Sequence, residues 1–130
     1  MRKILFRGKR TDNGEWVEGN LFVPDKEDTP TQICIGTNVI RITYDVIPET
    51  VGQYTGLTDK NGKKIFEGDI VKHDFGADQI GVQYAVIKYN SYYASFLVEP
   101  LYDWMFCEKN DCEVIGNIHD NPELLKGAEQ

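Results

Sequence analysis

Apolar and polar residues alternate in short runs along this chain, and Gly, Asn, Asp and Pro interrupt the runs every few positions. Sustained helical periodicity is nearly absent, so the pattern predicts strands joined by tight turns. Residues 3–10 and 15–23 flank Thr11-Asp12-Asn13-Gly14, and Asn-Gly between alternating runs is a strong hairpin signal. In the second arm Val17, Gly19, Leu21 and Val23 fall on one face by the two-residue period. A polar loop with a proline at each end, Pro24 and Pro30, follows. Residues 32–35 and 39–44 predict a second hairpin across Gly36-Thr37-Asn38.

The middle of the chain predicts an extended stretch over 51–54 and a turn-rich stretch over 55–64 containing Asn61-Gly62. A strand over 69–73 follows the corner Glu67-Gly68-Asp69. Residues 82–89 and 92–99 flank Asn90-Ser91 as a compact hairpin. Both faces of 92–99 carry apolar side chains, which predicts a central rather than an edge strand. Residues 112–118 predict a strand that aligns Cys112, Val114 and Ile118. Asn121, Pro122 and Glu123 then read as N-cap, first helical position and first-turn acid of a short C-terminal helix.

These elements predict an all-β fold with a short C-terminal helix. An N-terminal β-hairpin element is expected to pack on a C-terminal, SH3-like, partly open β-barrel. At 130 residues the chain is expected to be a single unit. Its parts are an N-terminal β element (1–50), a connecting segment (51–68) and a barrel-like element with the helical turn (69–130). Charge divides unevenly: residues 1–65 carry ten bases against nine acids, and residues 66–130 carry four against twelve. The net charge of -7 disfavours a protein that coats nucleic acid through its overall charge. No apolar run approaches the roughly 18 residues of a membrane span. The opening apolar stretch, Ile4-Leu5-Phe6, is too short for an export signal. Three cysteines, Cys34, Cys107 and Cys112, with no CxxC spacing, are expected to be free thiols in a reducing cytoplasm; the alternative, a Cys107–Cys112 disulfide, requires the intervening turn to bring the two together.

Residues 51–72 (VGQYTGLTDKNGKKIFEGDIVK) and 113–125 (EVIGNIHDNPELL), with Ile4-Leu5-Phe6-Arg7 and Trp16-Val17-Glu18-Gly19, resemble the YopX family of phage and prophage proteins. The blocks follow the family order over nearly the whole chain. Gly8 stands where the family often has Ala, and 74–81 and 101–111 look like segments of variable length. The resemblance implies a small, mostly β, cytoplasmic protein of a phage or its bacterial host. It brings no catalytic residues and no cofactor to carry over.

Motifs for chemistry are sparse. His73 with Asp74 and His119 with Asp120 would serve acid–base or metal chemistry only if they converge. Cys34 and Cys112 alternate with apolar neighbours and read as core or edge hydrophobes. No GxSxG, GxGxxG or P-loop occurs. The turn Lys60-Asn61-Gly62-Lys63-Lys64 is either ordinary hairpin chemistry or, through its amides and lysines, an anion contact. Glu67, Gly68 and Asp69 are expected to form a structural turn. The basic N-terminal strand, with Arg2, Lys3, Arg7, Lys9 and Arg10, reads as a half-buried strand with a solvated charged face.

Aromatic residues crowd the acidic half, with only Lys88 among them, which favours a protein contact over single-stranded nucleic acid. The candidate binding surface comprises Tyr54, Lys60, Asn61, Lys63, Lys64, Tyr92, Tyr93 and Trp104. The expectation is a non-enzymatic module that binds a host or phage protein, without cofactor, metal or membrane. The alternative is a nucleic-acid-associated module using the basic strand and the 60–64 turn. An exposed edge strand would also allow pairing between copies.

Overall fold

A computed structural model describes residues 4–36, 40–74, 81–90, 95–99 and 112–128. The fold is all-β, with antiparallel strands and one short helix among these residues. The chain divides into two compact units, Met1–Tyr54 and Thr55–Gln130.

In the first unit the Asn-Gly signal closes a hairpin between β1 (Phe6–Lys9) and β2 (Trp16–Phe22). Gly14 takes φ 72° there, and Asn13 Oδ1 accepts the Glu15 N–H at 2.9 Å. β2 continues to β3 (Gln32–Gly36) and β3 to β4 (Arg41–Asp45), both in antiparallel register. On its other side β1 pairs with the start of β5 (Gly52–Thr58). A bridge between Arg10 and Val46 ties the end of β1 to the chain leaving β4. A 3-10 turn, Pro48–Thr50, follows, and the Thr50 hydroxyl accepts the Lys9 N–H at 2.9 Å. Ile33 and Val46 are fully or almost fully buried here. Val46 lies so close to β1 that a Cβ on Gly8 would come within 3.0 Å of its own Cβ. That contact gives a physical reason for glycine at this position.

In the second unit the end of β5 pairs with β6 (Lys64–Phe66), and the Thr55 hydroxyl donates to Ile65 O at 2.8 Å. A four-stranded sheet follows in the order β10 (Glu113–Asn117), β7 (Asp69–Asp74), β8 (Val82–Asn90), β9 (Ser95–Glu99). Register sets Val71 beside both Ala85 and Val114. These three join Ile65, Ile87, Phe96 and Cys112 in one apolar core, with Leu57 packed on it. Each fully buried Ile or Val side chain contributes about 1.5–3 kcal/mol relative to exposure. The register of β10 shifts between Val114 and Gly116, a bulge that breaks strict alternation. The chain then turns at Asn117, whose Oδ1 accepts the N–H of His119 at 3.0 Å and of Asp120 at 2.9 Å. Helix α1 (Glu123–Ala128) ends the described chain. The Asn121 side chain points back, accepting the Asn117 N–H at 3.3 Å.

The structure differs from the sequence pattern in four places. Strands β5 and β6 occupy much of the stretch expected to be turn, because two short pairing runs flank the Asn61-Gly62 tip. β9 is an outer strand among the described residues, paired with β8 alone, rather than a central one. No barrel closes among the described residues; the four strands form an open sheet. Cys112 is in a disulfide, so the expectation of three free thiols fails there; Cys34 is free, and Cys107 lies outside the described residues.

Candidate interaction surfaces

The 60–64 turn is organised by a carboxylate the sequence reading passed over. Asp59 is 2% exposed. Its Oδ1 accepts the N–H groups of Asn61 and Lys63, each at 2.9 Å, and its Oδ2 accepts the Val114 N–H at 2.9 Å. Lys60 N–H donates to Cys112 O at 2.9 Å. Residues 59 and 60 thus cover the outer edge of β10. Burial alone would push the Asp59 carboxyl up; the three N–H donors, with the Lys63 ammonium nearby, hold it below the ordinary aspartate value. The turn's amides therefore serve the chain's own anion. The signal was a carboxylate two residues before an Asn-Gly pair, the position from which Asp bonds amides further along the chain.

Two lysines of this region are also engaged. Lys60 Nζ lies 3.2 Å and Lys72 Nζ 3.7 Å from Glu113 Oε1. Lys60, Lys72, His73, Asp74 and Val82 line an open depression of about 300 Å³. Lys63 is exposed and Lys64 half-buried. Tyr54 is buried, so it belongs to packing rather than to a binding surface. Tyr92, Tyr93 and Trp104 lie outside the described residues.

At the 67–69 corner Gly68 is buried with φ 92°, in the left-handed region that favours glycine. Its N–H donates to Ile87 O at 2.8 Å and its carbonyl accepts the Ile118 N–H at 3.0 Å. Asp69, 1% exposed, accepts the Phe66 N–H at 2.7 Å, while Glu67 is half-buried. All these bonds stay inside the second unit.

The histidines do not converge. His73 lies near the far end of β7, opposite Gln83, whereas His119 follows Asn117, which pairs with Asp69 at the near end. Four strand residues, about 13 Å, separate those two register positions. Among the described residues no group of three His, Cys, Asp or Glu is placed to hold a metal ion.

The basic strand of the first unit is not a solvated charged face. Arg7 is buried, its guanidinium 4.7 Å from the Trp16 ring centroid, and Lys9 Nζ lies 5.9 Å from the same ring. Cross-strand register puts Lys9 opposite Trp16, so the side-chain order along β1 and β2 builds this stack. Arg10 stacks on Tyr44 at 4.4 Å and binds Asp12 through two bonds of 2.9 and 2.6 Å. The Arg10 hydrogen bond holds the Asp12 carboxyl below its usual range. Arg2 and Lys3 lie outside the described residues. A second depression, about 340 Å³, borders the outer side of β4 between Arg10, Thr11 and Asp12 and residues Gln32, Thr43, Tyr44 and Asp45.

Among the described residues, large exposed apolar side chains fall mainly in this unit. Ile4, Phe22, Val23, Ile35, Ile40, Ile42 and Ile47 are all more than a third exposed; the second unit has Val82 and Tyr89 among its described residues.

A family model described as YopX protein matches residues 5–126. The chain belongs to the YopX family. Among solved structures, this YopX protein is similar to protein EF1440 from Enterococcus faecalis, at 28% sequence identity and a TM-score of 0.62. The match covers 96% of this chain and 99% of that one. A search of curated proteins returns no match. No helix among the described residues is long and apolar enough to cross a membrane.

Proposed function

We propose that this YopX protein is a non-enzymatic protein-interaction module, acting in the bacterial cytoplasm on a host or phage protein. One observation carries the reading: among the described residues, exposed large apolar side chains concentrate on the first unit, with Ile40 at 69%, Ile4 at 66%, Val23 at 63% and Phe22 at 54%. Exposed apolar surface gains free energy when a partner covers it. Three of the cations open to a nucleic acid are already engaged within the fold, which supports the same choice. Arg7 is buried against Trp16, Arg10 is tied to Asp12, and Lys60 lies beside Glu113. A phosphate would have to displace these internal contacts.

The test is capture with the tagged full chain from host and phage-infected lysates, with and without nuclease. The expected result is a specific protein partner that survives nuclease and is lost with Phe22→Ser/Val23→Ser. Capture that disappears with nuclease and falls steeply between low and physiological salt would replace this reading with the nucleic-acid one.

A further inference from the structure

The β4 edge has a self-complementary arrangement. β4 is the outer strand of the first unit, and its side chains are largely exposed. Val46 N–H donates to Thr31 O on the β3 side at 3.0 Å. Register then runs Ile33 opposite Tyr44 and Ile35 opposite Ile42, two residues at a time. The amide groups of Tyr44 and Ile42 therefore face β3, while those of Arg41, Thr43 and Asp45 face outward. The outer side is already used beyond Thr43: Asp45 O accepts the Thr11 N–H at 3.0 Å, and Ile47 N–H donates to Lys9 O at 2.8 Å. Among the described residues, the open part of the edge is the short stretch from Arg41 to Thr43.

We propose that this edge pairs with the same edge of a second copy, antiparallel about a two-fold axis at Ile42. The proposal rests on the protein-interaction reading and names one partner for part of the first unit's surface. With Ile42 opposite Ile42, Arg41 of each copy faces Thr43 of the other, and the outward groups exchange about four ladder hydrogen bonds. The two Ile42 side chains meet as a non-hydrogen-bonded pair, the closer of the two antiparallel geometries. Ile35 sits across from Ile42 on β3, and Ile40 lies two residues before Ile42, just ahead of β4. Their exposures, 38% for Ile35, 69% for Ile40 and 51% for Ile42, leave three isoleucines per copy to cover one another. Charge agrees with this register. Arg41 of one copy comes within diagonal reach, about 7–8 Å, of Asp45 of the other, and the pair occurs twice. Pairing about Arg41 instead would set two guanidinium groups against each other, and pairing about Thr43 would drive Arg41 into the backbone of Thr11.

Sedimentation of the full chain across a micromolar concentration series tests this. The expected result is a shift from 14.9 kDa toward twice that mass as concentration rises. Ile42→Glu opposes two like charges at the axis and should abolish the shift. Thr43→Pro removes an outward N–H that the internal ladder does not use, and should abolish it too. Far-UV circular dichroism checks that each variant is folded. Arg41→Asp should weaken association several-fold, and adding Asp45→Arg should restore most of it. A wild-type chain that stays at 14.9 kDa throughout, or folded Ile42→Glu and Thr43→Pro variants that both still dimerise, would overturn the proposal. Either result leaves the nuclease-resistant capture as the separate judge of the protein-interaction reading.

Discussion

Replacing Asp59 with alanine tests the claim that one buried carboxylate holds the 60–64 turn against β10. The change strands three N–H groups. Those of Asn61 and Lys63 belong to exposed residues and regain water, so each loss falls at the low end of a charge-assisted bond. The Val114 N–H is buried and has no water to replace the carboxylate. Its desolvation costs about 1–3 kcal/mol, and with about 1 kcal/mol for each turn amide the total is about 3–5 kcal/mol. At about 3–5 °C per kcal/mol for a chain of this size, the melting temperature should fall by about 10–25 °C. Asp59→Asn keeps one oxygen but turns an amide NH2 toward an N–H donor, and should cost about 2–3 kcal/mol. Lys60→Ala removes only partly exposed ion pairing, at less than about 1 kcal/mol. Urea denaturation followed by circular dichroism measures all three, and hydrogen exchange at the Val114 amide reports the site directly. A loss below about 1 kcal/mol for Asp59→Ala, with Val114 still protected, would refute the reasoning. The pH dependence has a definite sign. A carboxyl held below its unfolded value stabilises the fold fully above the unfolded pKa, about 3.9. That contribution is lost as pH falls through the lower folded value. Wild type should therefore lose its advantage over Asp59→Asn in acid, with the two stabilities converging below about pH 4.

Further outcomes are expected elsewhere. Gly68→Ala forces a side chain into a buried left-handed turn and should cost about 1–3 kcal/mol, read as a drop in denaturation midpoint. Gly8→Ala crowds Val46 and should destabilise by about 1–2 kcal/mol; Val46→Ala, which alone creates a cavity, should cost less in the Gly8→Ala background than in wild type. Additive losses in that double-mutant cycle would show that the two side chains do not compete for space. Arg7→Ala should destabilise the first unit by about 1–2 kcal/mol through lost packing and stacking on Trp16, and an unchanged stability would remove Arg7 from the structural role assigned to it.

Local chemistry made much of this protein readable from its residues. Asn13-Gly14 announces the first hairpin because two small, turn-tolerant residues interrupt two alternating runs. Asn121-Pro122 mark the start of α1 within two residues, whereas the turn expected at Asn90-Ser91 is misplaced, since Asn90 belongs to β8 and pairs with Ser95. The Glu67-Gly68-Asp69 corner was legible for the same reason: a positive φ needs glycine, and a following Asp bonds a nearby amide. The family was legible too, since its signature lies in such turns and in the short strands between them. What these signals share is range, for each acts within a few residues.

Long-range pairing decided the rest. The three residues of β6 carry too little periodicity to be seen, and only the Thr55–Ile65 contact and the core behind it make them a strand. The bases of β1 look solvated in sequence; cross-strand register buries Arg7 and stacks it on Trp16. Lys60, Asn61, Lys63 and Lys64 look like an anion cradle until Asp59 reaches Val114, 55 positions along the chain. Tyr54 looks like a surface ring and is buried. The histidines look equivalent until register sends them to opposite ends of β7. Sequence by itself thus determined the turns, most strands and the family, because backbone preferences and alternation act on neighbours. Tertiary structure alone decided which charges are neutralised and which apolar side chains stay exposed, because those depend on partners tens of residues away.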